Sequence, residues 1–150
     1  YLNRVSGPFL DRIDIGVEVP RQDLGKMAAE KSIDEGSFPQ TERRDSSAVM
    51  RARVMEARAR QEMRFAGESI SYNSQMTRRQ IEEYCRLSVE DAVFLEKVER
   101  QQGISARGHG KILKVARTLA DLDGQAEIGR TQLAEAIGFR SFEKKYWGSL

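Results

Sequence analysis

Residues 105–124 read Ser105-Ala106-Arg107-Gly108-His109-Gly110-Lys111-Ile112-Leu113-Lys114-Val115-Ala116-Arg117-Thr118-Leu119-Ala120-Asp121-Leu122-Asp123-Gly124. Ile112, Val115, Ala116 and Leu119 recur at steps of three and four, the period of an α-helix, and Lys111, Lys114 and Thr118 fall opposite them. Ser105 is a favoured N-cap, and Asp123-Gly124 breaks the run. The same signals recur on either side. Ser88, followed by Asp91, predicts a cap for a helix carrying Ala92, Val93, Leu95 and Val98, with a stop at Gly103. Thr77 and Gln80 have capping-box spacing and open a short helix through Ile81, Tyr84 and Cys85. Ser46 or Ser47 caps a longer helix to about Phe65, with Ala48, Ala52, Met55, Ala59 and Met63 on one face and Gly67 as its end. A last helix covers Arg130 to Phe139, with Leu133, Ala136 and Ile137 inward. The prediction is a mainly α protein, a helical bundle over 46–140.

One stretch has a different period. In Ile13-Asp14-Ile15-Gly16-Val17-Glu18-Val19 apolar residues alternate with Asp, Gly and Glu until Pro20, the pattern of a half-buried strand. A lone strand is not stable, so this one points to a sheet supplied by sequence outside the chain. Residues 20–45 mix charge with Gly25, Gly36 and Pro39 and read as a linker, with a short helical stretch around Leu24 to Ser32. The expected division is 1–19 end of a preceding core, 20–45 linker, 46–140 helical domain and 141–150 tail.

Composition narrows the function classes. Among 150 residues, 25 Lys and Arg against 23 Asp and Glu leave a net charge of +2, too balanced to argue for nucleic acid on charge alone. A charged fraction of 32% beside 39% hydrophobic residues suits a soluble helical protein. No apolar run approaches the roughly 18 residues that a membrane helix needs. Cys85 is the single cysteine, which excludes an internal disulfide framework and a multi-cysteine zinc site and fits a reducing, cytoplasmic setting. The single His109 excludes a triad of histidine ligands, and no metal site is expected. With no initiating Met, no signal peptide and opening residues that read like the middle of a domain, the chain is expected to be a piece of a longer protein.

Chemistry is sparse. Gly25-Lys26 is followed by Met27 and Gly110-Lys111 by Ile112, so neither forms a phosphate-binding Gly-Lys-Ser/Thr loop. There is no Gly-x-Ser-x-Gly elbow and no evident pair of acid–base carboxylates. Arg12 lies between Asp11 and Asp14, where a surface ion pair worth little is the ordinary reading. Arg107, in the first turn of its helix, opposes the helix dipole, and Gly108 and Gly110 each weaken the helix by about 1 kcal/mol. Two readings stand side by side: a frayed end with a solvated arginine, or a terminus that binds an anion. Arg51, Arg53, Arg58, Arg60 and Arg64, set against Glu56 and Glu62, form either a solvated face or a DNA-facing strip. His109 reads as a surface or capping histidine, Cys85 as a small core residue, and the tail Phe142 to Trp147 as a packing segment.

The segment YLNRVSGPFLDRIDIGVEV, residues 1–19, resembles the bacterial magnesium-chelatase-like AAA+ ATPases of the ComM and YifB type. The likeness returns in Asn73-Ser74-Gln75-Met76, Tyr84-Cys85-Arg86-Leu87, Ser105-Ala106-Arg107, Ala116-Arg117-Thr118-Leu119-Ala120-Asp121-Leu122 and Leu133-Ala134-Glu135-Ala136-Ile137, in family order and over most of the chain. The resemblance implies the C-terminal part of an AAA+ ATPase. The strand would be left over from the nucleotide-binding core, and the helices would be the lid, a magnesium chelatase C-terminal domain. It implies that Arg12, in the Leu-Asp-Arg-Ile block, is an arginine finger acting in trans, and that Arg107 is sensor 2 on an ATP phosphate. Arg4, eight residues before Arg12, and Arg51 and Arg58 are secondary candidates. The family pattern commonly has a histidine at Gly16 and bulkier residues at Gly108 and Gly110, so this chain departs from it there.

For the full-length protein the resemblance implies ATP and Mg2+ as cofactors and a homo-oligomeric ring, a hexamer, that remodels DNA as a helicase or branch-migration motor. The chain alone, without Walker A or Walker B, is expected to bind no cofactor and to be inactive. Three alternatives remain: a magnesium chelatase subunit for porphyrin metallation, an ATPase that remodels a protein, and a non-enzymatic helical DNA-binding module using the arginine-rich helix.

Overall fold

The computed structural model describes residues 12–19 and 46–140. Among these it contains five α-helices: α1 Ser47–Arg64, α2 Arg78–Tyr84, α3 Val89–Gln102, α4 Ala106–Leu122 and α5 Arg130–Gly138, with a 3-10 turn Asn73–Gln75 before α2. The caps are those that the sequence specifies. Ser46, Thr77, Ser88 and Ser105 each accept a backbone N–H three residues on, from Val49, Gln80, Asp91 and Gly108. Gln80 completes the box by accepting from Thr77 N–H at 2.9 Å. Gly103 ends α3 at φ 67°, a left-handed conformation open to glycine at little cost.

α4 is the central helix, packed against α5, α1, α2 and the 3-10 turn. Its Ile112, Leu113, Ala116 and Ala120 are buried with Phe65, Leu95, Leu133, Ala136 and Ile137 in one core. Each large apolar side chain buried here contributes about 1.5–3 kcal/mol. The buried face of α4 is wider than the predicted stripe, because Arg117 and Asp121 are also buried whereas Val115 and Leu119 are only partly so. In α3, Leu95 is buried as expected, but Val93 is exposed and Ala92 with it.

α1 corrects a larger expectation. Ala48, Ala52, Met55, Ala59 and Met63, read as its inward face, are all exposed. The buried residues are Ala57 and Gln61, with Phe65 just past the end. Ala59 and Gln61 differ by about 200° around a helix, so the real face is nearly opposite the apolar stripe. It was missed because its contacts are polar. Residues 47–56 are exposed throughout, and this half is helical through the propensity of its Ala, Arg, Met and Glu residues.

Residues 13–19 form no strand. No neighbouring strand is present among the described residues to complete a ladder, and Ile15, Val17 and Val19 are exposed at 50%, 70% and 83%. The alternation in the sequence is real, but its apolar side is not covered here. Residues 1–11, the expected linker 20–45 with the helix expected in it, and the tail 141–150 lie outside the described residues. None of the helices in the described residues is long and apolar enough to cross a membrane.

Candidate functional site

The first turn of α4 is well formed. Ser105 Oγ accepts from Gly108 N–H at 3.1 Å, and Gly108 is buried. A Cβ at position 108 would lie 2.7 Å from Ile104 Cγ2, so glycine is required by close approach of the preceding residue. The frayed-end reading is therefore corrected: the glycine that weakens the helix also lets its start pack. Arg107 stands on this turn, exposed, with no hydrogen bond or ion pair to any described residue.

Arg107, Lys111 and Lys114 follow one another along one side of α4 at steps of four and three. Lys111 Nζ pairs with Asp14 at 2.8 Å, and Lys114 Nζ donates to the Ser74 carbonyl at 2.9 Å. The lower two cations are thus engaged and Arg107 is not. All three border an open cleft of about 1340 Å³, together with Asp14, Ile15, Met76, Ile81 and Phe139. His109 also lines it and holds Glu99 of α3 through Nδ1 at 2.7 Å, a surface histidine of the kind expected.

Arg12 is exposed and does not line the cleft. The carboxylate of Asp14, one of its expected partners, is taken by Lys111 instead. Arg51 is exposed on the projecting half of α1, and Arg58 stacks on the Tyr72 ring at 4.1 Å. Arg4 lies outside the described residues.

Arg64 leaves the arginine strip altogether. Its guanidinium grips both carboxylate oxygens of Asp121, which is fully buried, and donates to Asn73 Oδ1 at 3.1 Å. Asn73 Nδ2 donates to Asp121 at 2.8 Å and to Thr118 Oγ1 at 3.1 Å, while its N–H reaches Gln61 Oε1 at 3.0 Å. Arg117 adds a second cation 3.2 Å from Asp121 and donates to the carbonyls of Gln125 and Ala126. Burial lowers the Arg117 pKa, with Asp121 opposing that shift. Sequence reasoning missed this network. Its signal was the pair Arg117 and Asp121 at i, i+4, lying beside Ala116 and Ala120 on the buried face. Cys85 is buried near both arginines; desolvation pushes its thiol up to about 11.

Among the described residues no group of three or more His, Cys, Asp or Glu is placed to hold a metal ion. An exposed cation on a helix N-terminal turn, where the helix dipole is positive, is chemically suited to an anion.

Fold and site define a mainly helical domain built round one central helix, whose N-terminal turn presents to an open cleft an arginine unpaired among the described residues. The chain belongs to the magnesium chelatase, subunit ChlI C-terminal family, whose family model matches residues 44–140. It is similar to the competence protein ComM of Haemophilus influenzae, 42% identical over 142 residues, which is 94% of this chain and 25% of that protein. Escherichia coli YifB is 38% identical over 144 residues, 96% of this chain and 26% of YifB. The Mycobacterium tuberculosis protein Rv2897c is 29% identical over 140 residues, 93% of this chain and 25% of that protein. The chain spans about a quarter of the length of the curated relatives it matches.

Proposed function

We propose that this chain is the C-terminal lid portion of a ring-forming AAA+ ATPase that couples ATP hydrolysis to DNA remodelling. In this reading residues 46–140 are the lid and residues 1–19 close the ATPase core, their strand paired with sheet from the rest of the protein. The observation that supports it best is Arg107, which stands unpaired on a capped helix start beside an open cleft, although Lys111 and Lys114 on the same side are engaged. Arg107 contacts an ATP phosphate as sensor 2. Arg12 reaches across to the nucleotide of the adjacent subunit as the arginine finger.

Phosphoryl transfer needs charge stabilisation more than covalent chemistry, and a finger of this kind is worth about 10³–10⁵ in rate. Mg2+ would come with the nucleotide and be held by residues beyond those described. The magnesium chelatase alternative is supported by the family description, whereas the relative with 42% identity is named a competence protein; DNA as the substrate is part of the reading proposed here. The reading places the protein in the cytoplasm, as a homo-oligomer of six subunits. Steady-state ATP turnover by the full-length protein, with and without DNA, tests it. DNA should stimulate turnover several-fold; turnover indifferent to DNA would move the assignment to another substrate.

A further inference from the structure

Residues 12–19 have no strand partner among the described residues, and their contacts to the helices are polar. Arg140, only 4% exposed, donates through Nη1 to the Ile13 carbonyl at 2.9 Å. The Phe139 carbonyl accepts from Gly16 N–H at 2.9 Å. Asp14 meets Lys111 at 2.8 Å, with the Lys111 side chain 13% exposed. These anchors come from just past α5 and from the early turns of α4. Arg140 also lies against the start of α4, since a Cβ on Gly108 would come within 3.7 Å of its Nη2. Lys111 is one helical turn beyond Arg107, about 6 Å along the axis.

Among the described residues nothing covers Ile15, Val17 and Val19, so apolar burial contributes little to the contact between this segment and the helices. That contact is directional instead, and two of its bonds are made by cations that are largely buried. We propose that Arg140 and the Asp14–Lys111 ion pair form a clamp between the Arg12 segment and the helix bearing Arg107, so that the placement of one arginine depends on that of the other. The functional part of this inference rests on the reading of Arg12 as a finger and Arg107 as a nucleotide sensor. The clamp then couples the lid helix that senses one nucleotide to the end of the core that serves the next, which links neighbouring sites in the ring. Asp14, Lys111 and Arg140 are positioning residues; none of them needs to touch nucleotide.

The test uses Asp14→Lys, Lys111→Asp and the double swap, because Arg140 is buried and its replacement would disturb the core. Amide hydrogen exchange on this chain reads the clamp directly. Each single variant should speed exchange at Gly16 and its neighbours by about tenfold while α4 and α5 stay protected, and the double swap should restore the slow rate. In the full-length protein each single variant should lower kcat by about tenfold, leave KM for ATP within about twofold, and be rescued by the swap. Unchanged exchange in both single variants overturns the clamp. Faster exchange with unchanged turnover overturns its positioning role when Arg12→Ala abolishes turnover. If Arg12→Ala is equally silent, the finger reading falls, and the exchange result still upholds the clamp.

Discussion

Asp121 shows why one carboxylate can matter more than a whole stripe of surface arginines. It is fully buried and shared between Arg64 and Arg117, with Asn73 donating to the same group. Taking the carboxylate away leaves two guanidinium groups facing one another out of water, a change that costs about 3–5 kcal/mol. Asp121→Ala should therefore lower the urea midpoint of this chain sharply, whereas Arg64→Met should cost less, because Asp121 keeps Arg117 and Asn73. Equal losses below about 1 kcal/mol in both would mean that the network is effectively solvated. Cys85 gives a second prediction at this scale. Its thiol pKa stands raised from 9.0 to about 11 by burial, so the folded chain holds this proton more tightly than the unfolded chain. The stabilisation that follows is fully present below pH 9 and is lost as pH rises from 9 towards 11. Urea titrations across that window should show falling stability in the parent and a flatter profile in Cys85→Ala. At neutral pH Cys85 should react slowly with thiol reagents until the chain is unfolded.

At the scale of elements, Gly108 and Gly110 look alike in the sequence and differ in the structure. Position 108 has no room beside Ile104, whereas a Cβ at 110 would make an ordinary contact, 3.5 Å from Ile81 Cδ1. Gly108→Ala should destabilise α4 by about 1–3 kcal/mol through a forced shift of a stiff branched side chain. Gly110→Ala should stabilise it by up to about 1 kcal/mol through helix propensity. Thermal melts of the two variants should move in opposite directions. The helices themselves were legible because each carries its own local signal: Ser46, Thr77, Ser88 and Ser105 cap, and Gly103 stops. Which face of a helix is buried was legible only where apolar side chains do the packing, as in α5. In α1 the packing face carries Gln61 and Arg64, so a reading by hydrophobicity chose the wrong side. The Arg64–Asp121 contact joins residues 57 positions apart, and no local spacing reports it. The strand at 13–19 was read from a true alternation, but a ladder depends on a partner that the described residues do not include. Arg107 was legible as a candidate because it breaks the dipole rule at its helix start; that the start is firm needed the packing of Gly108.

At the scale of the whole molecule, the bundle is a body with one exposed arginine at a capped helix start and another on the clamped segment beside it. In the proposed reading the helical domain supplies cations to a nucleotide held elsewhere in the protein. That division makes the roles of the two arginines separable. A finger acts on charge that develops in the transition state and contributes less to ground-state affinity. Arg107, by contrast, would touch phosphate in the bound state, so Arg107→Ala should change nucleotide affinity together with turnover. In the proposed function this chain supplies a catalytic arginine to a neighbouring subunit. Its most direct test is ATP turnover by the full-length protein carrying Arg12→Ala, measured beside nucleotide affinity on the assembled ring. Near-normal binding and a loss of turnover of about a thousandfold or more are expected. Unchanged turnover in an assembled ring would contradict it.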